Sequence, residues 1–370
     1  MKIQYILAAT LFSTVSYNAM ASSATCATAQ AGDPNDEVDE LAIYTTWWMS
    51  DATILGTPAY VIVANNPAGG SVGHVSGSVR TNINGAYDDC IIVSGNATVG
   101  ADLRAYAGND TFRLSGNAVI GGSILAAEGN DDVEIGGNAS VGTNVDLGNG
   151  TNTLLMSANA EVLGNVIGGT GYDYIEMTAS STIAGTITTG DGGDVIHLRD
   201  VASVADINMG NGSDSLMIVG PLISLGGSLN GGDDASTDDG YIDSLSFNGW
   251  SGNAPVMTNW ERIRLNAAHL NFGTSSYIHT EEFYIGNASS VTATGATHEI
   301  TGNIENSGII DMSDGNATGN FIIGGNYMGS GTLNLDIDLA NEQSDKITVS
   351  GDVNANGTLD FTRVGGDHDG

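Results

Sequence analysis

The residues best suited to chemistry lie in Gly168–Glu176, GGTGYDYIE, which satisfies every specified position of the calcium-binding nonapeptide GGxGxDxUx. Partial copies follow in phase. Gly190-Asp191-Gly192-Gly193-Asp194 and Gly210-Asn211-Gly212-Ser213-Asp214 keep GxGxD, while Gly148 to Asn152 puts Asn in place of the acid. Carboxylates and glycine-loop carbonyls are hard oxygen donors of the kind calcium takes, so the candidate ligands are Asp173, Asp194 and Asp214. The competing reading has each Asp accept hydrogen bonds from its own turn's backbone and face water. Asn152 interrupts the acidic column, and the motif returns once per 21 residues rather than once per nonapeptide. Both readings stand open at this point.

Catalytic constellations are weak. There is no HExxH, CxxC or phosphate loop, and the GxSxG at Gly69–Gly73 lacks the helix signal a nucleophile elbow needs. His197 lies on the outward phase between Ile196 and Leu198. His74, His269, His279, His298 and His368 have no repeated partner, and all six read as solvated or loosely packed. A formal charge of −34, from 43 acids and 9 bases, repels nucleic acid and anionic lipid and favours cations and solubility. With Lys346 as the one lysine beyond the leader, little is available to stabilise an enolate-type intermediate. The chain reads as non-enzymatic.

The elements that hold these turns repeat. Asp89, Asp110, Asp131, Asn152, Asp173 and Asp194 are spaced by 21 residues, and Asp214 follows after 20. Each is followed at +2 and +4 by apolar residues: Ile91 and Val93, Phe112 and Leu114, and so on to Leu216 and Ile218. Period-two alternation of this kind is a half-buried strand. A second short strand recurs as Ala97 and Val99 through Ala160 and Val162, and a third carries Leu103, Ile124, Val145, Val166, Ile187, Ile207 and Leu229. Three strands per unit with Gly-rich corners make one coil, and coils this short must stack and pair in parallel. The expected fold is all-β, a right-handed parallel β-helix. Asn96, Asn117, Asn138 and Asn159 should form an amide ladder along it.

The flanks divide the chain. Residues 1–21 read as an export signal: Lys2, an apolar run from Ile3 to Val15, and Ala19-Met20-Ala21 as cleavage site. The alternative is a buried N-terminal strand. That run is too short for an anchor, and the remainder carries no transmembrane helix, so the chain is not by itself an integral membrane protein. Residues 22–85 form a tail and an off-repeat cap with Tyr44, Trp47, Trp48 and Tyr60, or else an aromatic ligand platform. Cys26 and Cys90 would close a disulfide loop worth about 4 kcal/mol, or remain two thiols. Residues 86–230 are the regular coils and 231–326 looser ones, beginning with an exposed acidic insert at Gly231–Gly240. Residues 327–370 read as a C-terminal cap of antiparallel strands.

Two stretches resemble passenger domains of bacterial autotransporters of the AIDA and pertactin type. FNGWSGNAPVMTNWERIRL, from Phe247 to Leu265, is similar to a recurring tNwE-x-[IL] element. Ser307 to Val353 is similar to the passenger's C-terminal end, with its GNY, LxLD and SDK features. The resemblance implies a β-helix whose C-terminal segment, roughly Tyr327–Val364 here, acts as an autochaperone during export. It implies an outer-membrane β-barrel translocator as partner, and adhesion, aggregation or display toward a host surface, matrix or other cells. Such a chain would stand at the cell surface or be secreted when a barrel is supplied, and otherwise stay periplasmic. Family members continue into that barrel, whereas no set of barrel strands occurs before Gly370, so the sequence reads as a fragment or as a product without its translocator. No cofactor is expected unless the Asp turns hold calcium.

Overall fold

The computed structural model describes residues 74–81 and 88–365, apart from 234, 238 and 239, together with short backbone strands at 4–5, 15–20, 40–43, 52–57 and 60–63. The protein is all-β, a parallel β-solenoid of about 12 turns with spacing near 21 residues. It forms two compact units: Met1–Asp194 with Ala202–Asp206, and Val195–Val201 with Ile207–Gly370.

In the first unit each coil contributes three strands. The first strands, Cys90–Val93, Thr111–Leu114, Asp132–Ile135, Asn152–Met156 and Asp173–Met177, pair in parallel with Ile91, Phe112, Val133, Leu154 and Ile175 in one register. All five are buried. The second strands stack Val99 on Ile120, Val141 and Val162, and the third stack Leu103 on Ile124, Val145 and Val166. Burying one such aliphatic side chain contributes roughly 1.5–3 kcal/mol, and the stack repeats that gain at every coil. Ala105, Ala126 and Leu147 add a second inward position to the third strand.

The expected amide ladder is present. Asn117 Nδ2 donates to Asn96 Oδ1 at 2.8 Å, Asn138 to Asn117 at 2.9 Å, and Asn159 to Asn138 at 2.9 Å. Beside it the chain turns through Gly116 at φ +71°, where an added Cβ would meet the Gly95 carbonyl oxygen at 2.8 Å. Ala158 and Ala179 hold the same left-handed conformation further along, at φ 58° and 56°.

The stretch expected to be off the repeat joins it. Glu40–Ile43 pairs in parallel with Tyr60–Val63, and that strand with Cys90–Val93. Val15–Met20 pairs in parallel with Ala52–Thr57. Tyr44, Trp47, Trp48, Cys26 and Gly69–Gly73 lie outside the described residues.

In the second unit the first strands run Val195–Arg199, Ser215–Val219, Ser244–Asn248, Arg262–Asn266, Glu282–Ile285, Asn303–Asn306, Tyr327–Gly329 and Val353–Ala355. Larger side chains fill these coils, with Trp260, Phe247, Phe283 and Phe321 fully buried. The C-terminal segment departs from the expected antiparallel arrangement. Thr332–Asp338 pairs in parallel with Thr358–Val364, and Lys346–Val349 with Asn320–Ile323. The short strand Gln343–Ser344 alone runs antiparallel among these described pairings, against Ile337–Asp338. Period-two alternation is the same in both kinds of sheet, so it carries no information on direction.

Candidate functional site

Asp89, Ile91 and Val93 are two residues apart, so whatever turns the apolar pair inward turns the Asp inward too. That is the arrangement found. Asp89, Asp110, Asp131, Asn152, Asp173 and Asp194 in the first unit, and Asp214, Asp243 and Glu261 in the second, are each at most 4% exposed.

The column has one recurring bond. The backbone N–H of Asp89 donates to Asp110 Oδ1 at 2.7 Å, that of Asp110 to Asp131 Oδ1 at 2.7 Å, that of Asp131 to Asn152 Oδ1 at 3.0 Å, and that of Asp173 to Asp194 Oδ1 at 2.8 Å. In the second unit the Asp214 N–H donates to Asp243 Oδ1 at 2.7 Å and the Asp243 N–H to Glu261 Oε2 at 2.5 Å. A buried corner N–H needs an acceptor, and the side chain one coil along supplies it. Asn152 shows that a neutral amide fits the position. Its Oδ1 takes the Asp131 N–H, while its Nδ2 donates to Asp173 Oδ1 at 2.9 Å and to the Gly148 carbonyl at 3.1 Å.

The second carboxylate oxygens of Asp110 and Asp131 are buried and have no hydrogen-bond partner among the described residues. Ionisation is disfavoured in such a place. Burial pushes the Asp110 carboxyl up to about 8 against the hydrogen bond from Asp89, with like charge from Asp89 and Asp131 adding to the rise. Burial likewise takes Asp131 to about 6, Asp173 to about 7 with help from the Asp194 charge, and Asp243 to about 8. The Asp194 carboxyl is raised for the same reason.

This geometry bears on the three expected calcium ligands. Asp173 and Asp194 belong to the first unit and Asp214 to the second, and all three are buried instead of facing water. Asp194 already spends one oxygen on a backbone N–H. A Cβ on Gly168 would come within 2.0 Å of Asp173 Oδ2 and 2.1 Å of the Thr189 carbonyl oxygen. The first glycine of GGTGYDYIE is therefore explained by the space the inward carboxylate needs. Among the described residues no group of three or more His, Cys, Asp or Glu side chains is arranged to hold a metal ion. Cys90 is 3% exposed and disulfide-bonded; Cys26, its expected partner, is outside the described residues.

The family-like stretches also occupy corners. Asn259, at φ 57°, donates from Nδ2 to the Gly232 carbonyl at 2.8 Å, and Trp260 Nε1 donates to the Leu229 carbonyl at 2.9 Å. Glu261 then accepts the Asp243 N–H, so Asn259, Trp260 and Glu261 of the TNWE run each have a structural task. In the C-terminal stretch Asp345 accepts the Gly319 N–H at 2.8 Å and the Asp336 N–H at 2.7 Å, and Asp336 accepts those of Asp314 and Gly315 at 2.9 and 2.7 Å.

Two further expectations are corrected. His298 is not loosely packed: it is fully buried beside Phe272 and Phe321. Its Nδ1 faces the Ser276 hydroxyl at 3.0 Å and its Nε2 the Thr294 carbonyl at 3.0 Å, which fits a neutral ring carrying its proton on Nε2. Burial lowers its pKa. The Gly231–Gly240 insert is not simply an exposed loop, because Ala235 is buried and Glu281 accepts from the Thr237 N–H at 3.1 Å and its hydroxyl at 2.9 Å.

No family model matches the chain, and no curated protein matches it. Among solved structures it is similar to a hyperactive, Ca2+-dependent, beta-helical antifreeze protein from an Antarctic bacterium, at 18% identity and a TM-score of 0.34, covering 87% of this chain and 84% of that one. A likeness that distant carries no argument about ligand or activity.

Proposed function

We propose that the chain is an exported autotransporter passenger that acts by surface contact, in adhesion, aggregation or display, and not by catalysis. The observation that supports this best is the use of its inward polar groups. The buried acids of the column are spent on corner N–H groups, which leaves the outward faces of the coils for interaction. The leader-like first 21 residues and the passenger-like stretches at Phe247–Leu265 and Ser307–Val353 support export through a β-barrel partner. Calcium forms no part of this reading, because the inward carboxylates already have a structural use.

The test is to express the chain with its leader in frame with an outer-membrane β-barrel, then shave intact cells with protease and score cell–cell aggregation. The reading predicts release of the passenger by protease, a mature N-terminus at Ser22 by mass, and increased aggregation or adherence. Retention of the first 21 residues would instead favour Val15–Met20 as the permanent strand it forms against Ala52–Thr57. A shielded passenger with unchanged adherence would contradict the proposal.

A further inference from the structure

On the outward side of the first strands in the second unit, side chains form two parallel columns. One contains Arg262, Glu282 and Asn303; the other contains Arg264, Tyr284, Glu305 and Met328. Neighbours in a column are one strand spacing apart, about 4.8 Å, and the columns are two residues apart, roughly 6.6 Å. Together they line a groove of about 230 Å³ above the inward-facing Ile263 and Phe283.

Arg262 Nε donates to Glu282 Oε2 at 3.1 Å, which holds both groups in the groove. The side chains of Arg264, Tyr284 and Glu305 make no hydrogen bond or ion pair among the described residues. Thus one guanidinium, one phenol and one carboxylate stand ready for a ligand beside an already oriented ion pair.

We propose that this groove binds a neutral glycan, the inference resting on the contact function proposed above. Guanidinium and carboxylate groups are planar forks that engage adjacent hydroxyls in pairs, and Asn303 offers its amide donor while its Oδ1 accepts the Asn326 N–H at 2.9 Å. The Tyr284 ring supplies a flat apolar surface with a polar tip, matching a sugar ring's apolar face and hydroxyl rim. Charge selects neutral over acidic sugars. Two arginines face two glutamates, so the groove has no net positive charge, and the chain's formal −34 repels a polyanion. The columns repeat at a spacing close to the length of one sugar unit, so successive units of an extended glycan each lie over one coil and meet a different pair: Arg262 with Arg264, Glu282 with Tyr284, and Asn303 with Glu305.

The experiment titrates the purified full chain with neutral β-glucan, α-mannan and galactan oligosaccharides, and with oligogalacturonate and alginate as charged counterparts. The proposal expects at least one neutral series to bind, with little change on raising salt. Arg264→Ala and Tyr284→Ala should each weaken binding about ten-fold, the loss of one or two good hydrogen bonds, with the melting temperature unchanged because both side chains face outward. Failure of all neutral series, tighter binding of the uronates, or binding that survives both substitutions would overturn it. Cells that still aggregate when purified protein binds no neutral glycan would retain the contact reading and reject this groove. Purified protein that binds while surface display fails would do the reverse.

Discussion

In the first unit the corner N–H groups of Asp89, Asp110, Asp131 and Asp173 meet a short acceptor, Asp or Asn, at 2.7 to 3.0 Å, while that of Asn152 meets the Tyr172 carbonyl at 2.9 Å. In the later coils the task passes from Asp243 to the longer Glu261, and then the column turns outward at Glu281, which holds the insert through Thr237. Nearby, Thr280 sends its N–H to the Thr301 hydroxyl at 3.1 Å and its own hydroxyl to the Glu261 carbonyl at 3.0 Å. The cores differ correspondingly: alanine and aliphatic residues with Phe112 among them in the first region, and Trp260, Phe283, Phe321 and His298 in the second. Sequence regularity is thus one solution among several. What both regions share is an acceptor wherever a coil corner buries an N–H.

The largest expected effect is in the irregular region. Trp260→Ala should cost about 3–5 kcal/mol by emptying the site of the largest buried side chain, and it strips the Leu229 carbonyl of its indole donor. Chemical denaturation measures it; a cost under about 1 kcal/mol would mean these coils do not depend on their large residues. In the regular region Asp131→Ala should cost about 1–3 kcal/mol, because the Asp110 N–H is left buried without an acceptor, while Asp131→Asn keeps that bond. Equal losses in the two variants would show that the acceptor is not what the column supplies.

Millimolar calcium should leave the melting temperature of the regular region unchanged relative to chelator, since Asp194 is committed to the Asp173 N–H and the Asp173 carboxylate packs against Gly168. A rise abolished by Asp173→Asn would return calcium to the glycine turns. The smallest effect concerns the Asn-ladder turn. Ala158→Gly should stabilise by about 0.5–1 kcal/mol, because relief of a left-handed alanine outweighs the added freedom of the unfolded chain. A loss of stability would mean the alanine methyl has a packing role that exceeds its backbone strain.

Much of this architecture is readable in the residues themselves. Ile91, Phe112, Val133, Leu154 and Ile175 stack in the register their spacing implies, and the four asparagines bond in sequence. The inward Asp was readable too, since it has the same parity as the apolar pair, but a charged residue beside glycines suggests a solvated turn or a cation site. Burial of His298 was not readable, because its partners Ser276, Thr294, Phe272 and Phe321 come from coils of unequal length. The parallel C-terminal pairing was hidden for a different reason: direction depends on which distant strand lies alongside. The outward grid of Arg264, Tyr284 and Glu305 requires that same inter-coil register, which the loosened repeat after Leu229 does not announce.

The buried carboxyls of the column keep their protons to higher pH than exposed ones do, from about 6 at Asp131 to about 8 at Asp110, and Asp110 offers the sharpest test. Its carboxyl is raised from an ordinary 3.8 to about 8, so the folded chain binds a proton that the unfolded chain has lost through that interval. The resulting stability is fully present below about pH 3.8 and is lost as pH rises through about 8. An Asn at this position has no such dependence. The decisive measurement is the unfolding free energy of wild type and Asp110→Asn from pH 4 to pH 9. The Asn variant should gain on wild type as pH rises from 4 toward about 8 and level off above that, whereas a wild type that gains on the Asn variant over that range would reveal an ionised, favourably held carboxylate instead.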